Sequence, residues 1–497
     1  KMTKIKKITL IRPPAAAADE NAITRLEVKH PPIGLAILYA ILKKEGYDAA
    51  IMDAYVKEWG DVKEFLLRNS ADVVGISCHT GQHLSSLKIA EMAKTFLRPE
   101  PVVIMGGPHP SVIPLDKQIL ENYSYVDFVV RGEAEETLIE LLRTLDAGSD
   151  PDSVKGITFR RNGSIVRTED RPPVMDLDSL PLPDYSFFDF EITRGSTDGV
   201  INRISDRGIM RNRPFAAIMS SRGCPNTCIF CSLFMGNRIR YRSAENVVAE
   251  IENLQRSRGL RHFTFADDCL NLSLPRMEKI CNLILERNLD ITWSALGRVT
   301  PINKDILALM KRSGCVTFSF GVESGSDSIL KGIKKNITTH AIEKAFGVVK
   351  DVGISSDALL IVGSPGETDD TVNETIRFLR RVRPSGVTIN PLTIYPGSEI
   401  YALAVRKRLI DQDYWLKNRV PPYYTEEHSD DELRYYRLRI LFYYHAAKAD
   451  IVIMLKLGVM LVAYKLIKLF GLRVNEVRDG LLKVPVIAYL MGKFKTA

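Results

Sequence analysis

Three of the chain's seven cysteines fall within eight residues, Cys224-Pro225-Asn226-Thr227-Cys228-Ile229-Phe230-Cys231, spaced C-x3-C-x2-C. An apolar run from Phe215 to Met219 precedes them and predicts a strand, so the cysteines sit on a loop leaving a strand's carboxyl end. Cysteine thiolates are the usual ligands of iron–sulfur clusters. Three thiolates rather than four leave one iron without a protein ligand, open to a substrate or cofactor. A structural zinc site is the alternative, but zinc takes four ligands, commonly in paired groups, and no second pair follows here.

A chain of 497 residues has room for about two to four domains, each large enough for its own core. An odd number of cysteines without regular pairing is not a disulfide framework. A reducing cytoplasm also suits an oxygen-sensitive cluster. The start, Lys1-Met2-Thr3-Lys4, leads into no signal-peptide pattern, and no run reaches about 18 uninterrupted apolar residues. A cytoplasmic location is therefore expected. The net charge of +8 is modest for this length and by itself identifies no anionic partner.

Residues 1–150 alternate strand and helix patterns. Strands are expected at Lys6–Ile11, Ala49–Met52, Val73–Ser77, Val102–Met105 and Phe128–Val130, with helices between them. This alternation predicts a doubly wound, Rossmann-like parallel sheet of the α/β class, whose ligands bind beyond the carboxyl ends of the strands. Those ends are small or polar: Ser77-Cys78-His79-Thr80-Gly81, Gly106-Gly107-Pro108-His109 and Arg131-Gly132-Glu133. Glycine there lets a large flat ligand approach the backbone.

Residues 151–214 read as a connector. Asn162-Gly163 between β-rich flanks signals a hairpin, and Leu180-Pro181-Leu182-Pro183 a stiff linker. Arg203, Arg207, Arg211 and Arg213 follow in a polar stretch read as a solvated loop. From 215 to 410 six βα units are expected, forming an open partial (β/α)6 barrel with its chemistry at the carboxyl strand ends. Residues 411–497 turn helical. Ile451–Phe470 is almost wholly apolar, yet Lys456 and Lys465 project to opposite sides, which is not a clean amphipathic face. The tail reads either as helices packed on the barrel or as a lid over a greasy substrate, with membrane-surface contact open.

C-x3-C-x-aromatic-C resembles the signature of the radical S-adenosylmethionine (SAM) enzymes, and residues 5–146 resemble the cobalamin-binding domain that precedes many of their barrels. The resemblance implies three cofactors: a [4Fe–4S] cluster on Cys224, Cys228 and Cys231, SAM on its open iron, and cobalamin in the N-terminal sheet. It places Phe230 near the adenine. A zwitterionic SAM asks for a cation and several acceptors. Arg298 is expected at its carboxylate, Glu323, Ser324 and Asp268 at its amine or ribose, and Gly363 and Gly366 near the adenine. Cobalamin is expected against Ser77, His79, Thr80, Gly106, Gly107, Pro108, His109, Arg131, Gly132 and Glu133. D-x-H-x-x-G, whose histidine ligates cobalt in classical modules, is absent, so a displaced lower base is expected.

Carbon methylation through a 5′-deoxyadenosyl radical is the activity this resemblance implies, and the apolar tail makes a hydrophobic or lipid-like small molecule the expected substrate. Oxidative cyclisation with the same cofactors and a non-catalytic iron–sulfur or cobalamin sensor are the alternatives. An external electron donor such as flavodoxin or ferredoxin is implied. Nucleic acid is not an expected partner, since neither a dedicated RNA-binding module nor a dense basic patch is present.

Overall fold

The computed structural model describes residues 5–15, 30–194, 213–418 and 422–470. Arg203, Arg207 and Arg211 lie outside the described residues, as do the side chains of Lys456, Lys465 and Lys468.

The N-terminal sheet is built from β1 (Lys7–Arg12), β2 (Asp48–Asp53), β3 (Val73–Ser77), β4 (Val102–Gly106), β5 (Phe128–Val130), β6 (Ile157–Arg161) and β7 (Ser164–Arg167), in the order β2-β1-β3-β4-β5-β6-β7. The first five are parallel. From β1 the chain runs one way to β2 and then the other way to β3, so the topological switch falls between β1 and β3. The hairpin expected in the connector instead completes this sheet. It turns at Asn162 and Gly163, both with positive φ, and pairs antiparallel to β5. A buried polar cluster holds it there: Asp116 accepts from Thr158 at 2.8 Å and from Arg167 at 3.0 Å, and Arg131 donates to Thr158 at 2.6 Å. Helices 33–44, 59–68, 83–96, 115–122 and 134–146 cover the sheet. The short helix Leu115–Asn122 was not legible as a pattern.

The second sheet contains β8 (Ala216–Ile218), β11 (His262–Phe265), β12 (Thr292–Gly297), β13 (Cys315–Glu323), β14 (Asp357–Val362) and β15 (Gly386–Pro391). All are parallel and lie in sequence order from β8 to β15, the open six-stranded barrel expected. Between β8 and β11 stand two short strands, β9 (Ser221–Arg222) and β10 (Arg240–Tyr241), paired antiparallel as a ribbon. The three cysteines occupy the loop of that ribbon.

Local chemistry starts and stops the barrel helices. Ser243 caps helix 244–258 by accepting from the Asn246 N–H, and Gly259 ends it at φ +66°. Thr368 and Thr371 form a reciprocal cap on helix 369–382.

The tail helix Asp430–Ala447 buries Leu433, Tyr436, Ile440 and Tyr444, and the last three join the barrel core. Tyr444 donates to the carbonyls of Pro384 and Ser385. Helix Ile451–Phe470 packs on its predecessor and leaves Ile451, Leu455 and Val462 more than half exposed. No helix among the described residues is long and apolar enough to cross a membrane.

Candidate functional site

The cysteine loop is fixed from both sides. Ile229 lies in an apolar cluster with Ile329, Ile333, Leu392, Ile394 and Ile400. Its N–H donates to Ile333 and its carbonyl accepts from Ile400. On the other flank Gly223, at φ +88°, has no room for a side chain, since an added Cβ would stand 2.4 Å from the Arg238 carbonyl. Asp267 is buried beneath the ribbon and accepts from Ser220 at 2.8 Å and from Ser221. Its neighbour Asp268 accepts from the Gly223 N–H at 3.2 Å.

Desolvation, with Asp268, Cys228 and Cys224 nearby, pushes the Cys231 thiol up to about 11. Asn226 donates to the Cys224 sulfur at 3.2 Å. Among the described residues no three His, Cys, Asp or Glu side chains close on one point as ligands of a single metal ion do. A multi-iron cluster takes one thiolate per iron, so its three sulfurs stand apart, and free cysteines on one anchored loop fit that requirement.

Beside the loop, a polar group collects at the carboxyl ends of β12 and β13. Glu323, held at φ +66°, is bound at 2.6 Å by Lys335, and both are buried. The Lys335 ammonium lies 5.9 Å from the Phe230 ring centre. The Lys335 carbonyl accepts from Arg298 at 2.7 Å, and Asn271 braces the Arg298 backbone from both directions. Phe230, Arg298 and Glu323 are thus brought together, with Lys335 and Asn271 as members the sequence did not reveal. Ser324 is turned into local bonds with Ser326 and Thr375. Gly363, at φ +86°, is approached closely by a tail side chain: an added Cβ would lie 2.7 Å from Leu433. Cys269 is buried, and burial, with Cys224 next in effect, pushes its thiol up to about 12.

A cavity of about 400 Å³ opens at the switch between β1 and β3. Its floor includes Leu10, Gly75, Ile76, Ile104 and Val130, and Ser77, His79, Gly106, Gly107, Pro108, Gly132 and Glu133 line it as well. The opposite wall comes from the cluster side: Met219, Arg222, Phe234 and Met235. Gly34 and Gly132 present bare backbone with nothing within 4 Å of where a side chain would begin. Such an apolar, glycine-edged slot fits a flat corrinoid. Protein around the His79 ring, aided by Arg12, lowers its pKa to about 4, leaving it neutral at the cavity.

Thr80, His109 and Arg131 do not line this cavity. The Thr80 carbonyl lies 2.8 Å from His83 Nδ1. The His109 ring is buried and stacked on His83, with centroids 4.8 Å apart. Arg131 is drawn under the hairpin by Thr158, Thr168 and Asp170, because a buried guanidinium needs several acceptors.

Residues 218–379 match the Radical SAM superfamily and residues 22–142 match the B12 binding domain. An uncharacterized methyltransferase of Pyrococcus horikoshii is 31% identical over 418 residues, covering 83% of this chain and 86% of that protein. The chain belongs to the cobalamin-binding radical SAM enzymes. This enzyme uses a [4Fe–4S] cluster, SAM and cobalamin. It is also 29% identical to the anaerobic magnesium-protoporphyrin IX monomethyl ester cyclase of Rubrivivax gelatinosus, over 75% of this chain and 66% of the cyclase. Among solved structures, the cobalamin-dependent SAM radical enzyme OxsB with aqua-cobalamin bound shares the enzyme's fold at a TM-score of 0.71, with 16% identity, 98% of this chain and 76% of that one covered.

Proposed function

We propose that this enzyme methylates an unactivated carbon of a hydrophobic small molecule, a planar ring or lipid-like compound. One observation carries the reading: the cavity at the switch between β1 and β3 and the cysteine loop share a wall, with Met219 and Arg222 before the loop and Phe234 and Met235 on its far side. A substrate carbon can therefore meet both cofactors across one boundary. When bound, reduced cluster and SAM supply a radical that takes hydrogen from carbon, and cobalamin supplies a methyl group.

Within this reading Cys224, Cys228 and Cys231 hold the irons, and Asp267 keeps their ribbon in place. Arg298 offers SAM a cation, while Phe230 and Glu323 border the same space. Ser77, His79, Gly106, Gly107, Pro108, Gly132 and Glu133 border the corrinoid. The apolar walls exclude water and stray hydrogen donors from a carbon radical. The exposed Ile451, Leu455 and Val462 face offers a contact for a membrane surface or a greasy substrate. Liposome flotation tests the first of these. Electrons come from an external donor of the flavodoxin or ferredoxin kind.

The hopanoid C-3 methylase of Methylococcus capsulatus, 26% identical over 79% of this chain, supports methylation. The cyclase similarity supports ring-forming oxidation as the second reading. One anaerobic incubation with methyl-labelled SAM decides between them. A product heavier by one labelled methylene unit means methylation. Hydrogen loss without label means cyclisation, and no deoxyadenosine release at all overturns both.

A further inference from the structure

The ribbon that carries the cysteine loop is joined to the cobalamin cavity by four buried charges. Arg222 on β9 lies 2.7 Å from Glu135 and 3.4 Å from Glu133. Arg240, its direct partner on β10, binds Glu133 through two nitrogens at 2.6 and 2.8 Å. None of the four side chains is more than 8% exposed. The two glutamates open helix 134–146, one as its cap and one in its first turn, and both line the cavity. Glu133 also accepts from the Val174 N–H at 2.7 Å, and Arg240 donates to the Val174 carbonyl at 2.6 Å. The linker between the two sheets is thereby caught in the same network.

A buried ion network is a poor way to gain stability, because desolvation offsets most of the attraction. Its merit is geometric. Paired guanidinium forks and carboxylates accept few arrangements, and two arginines on opposite strands of one ribbon leave it little freedom to rotate.

We propose that Arg222, Arg240, Glu133 and Glu135 are positioning residues that set the distance and angle between the cluster and the cobalamin. The inference rests on assigning the cavity to cobalamin. The network acts on neither cofactor's binding alone. It fixes the gap between them, into which the substrate carbon must fit.

The test uses the full chain reconstituted with cluster and hydroxocobalamin, then reduced so that cluster and cobalt(II) are both paramagnetic. Pulsed electron paramagnetic resonance reads the distribution of distances between them. The variants are Glu135→Gln and the double variant Arg222→Met with Glu135→Leu, which replaces a buried pair by apolar groups of similar size. Both should fold with the parent's iron content, while the distance distribution broadens and its main peak falls. An unchanged distribution in both variants overturns the proposal. Loss of either cofactor, or failure of both variants to fold, also overturns it, since the network would then be a binding or folding element. Failure of the unaltered chain to hold hydroxocobalamin is a separate result, and it defeats the cavity assignment itself.

Discussion

Asp357, the first residue of β14, is 1% exposed beneath the tail helix, and its carboxyl oxygens have no hydrogen bond of ordinary geometry. Burial lifts its pKa from 3.8 to about 7, with Lys448 and the Gly386 backbone offsetting only part of the effect. Between those two values the folded protein holds a proton that the unfolded chain has released. Stability therefore falls as pH rises through this window and levels off above it. One pH decade is worth about 1.4 kcal/mol, so ionised Asp357 costs the fold on the order of 4 kcal/mol above neutrality. Asp357→Asn removes the charge but introduces an amide with donors to satisfy, at about 1–3 kcal/mol. The variant should gain about 2 kcal/mol at pH 8 and lose that advantage at about pH 5. Amide hydrogen exchange across β14 and β15 reads this locally, as suits a chain too large for one two-state transition. A difference between the two proteins that does not change with pH, or an Asn variant that exchanges faster at pH 8, would refute the argument.

Replacing Cys224, Cys228 and Cys231 together with Ala should abolish iron binding and deoxyadenosine release while the N-terminal sheet still binds hydroxocobalamin, as iron analysis and absorbance would show. Bound hydroxocobalamin should survive gel filtration with a displaced-base spectrum, and a nitrogen-ligated lower face would contradict this. Lys335→Met leaves Glu323 buried and unpaired, a loss of about 3–5 kcal/mol. Adding Glu323→Gln should restore much of the barrel's exchange protection, and no recovery would mean that the pair is not the cause. Deleting 451–497 should spare SAM cleavage, whereas deleting 430–497 strips Tyr436, Ile440 and Tyr444 from the barrel core and should abolish it.

Both sheets were legible because parallel strands are short apolar runs that end in small or polar residues, and Phe215–Met219 and Val316–Phe320 show this plainly. The ribbon was not: β9 and β10 are two residues each, too short for any periodicity, and they pair across the cysteine loop. Lys335 was missed for a related reason, since it reaches Glu323 only because the backbone turns sharply, with positive φ at Glu323, Lys334 and Asn336. Arg131 misled because a strand-end arginine can turn toward a ligand or away from it, and only the hairpin's acceptors decide. The tail offered two readings. The packing of helix 430–447 gives that helix to the barrel core, and the apolar face of 451–470 is the part that packing leaves over.

The four-charge bridge also limits how this protein can be rebuilt. A cobalamin module taken from another enzyme and grafted before residue 215 would arrive with its own residues at positions 133 and 135. Without two carboxylates there, Arg222 and Arg240 would be stranded in a dry interface. Exchange of modules in this architecture therefore requires the junction to travel with them: helix 134–146 and the ribbon are inherited together or replaced together.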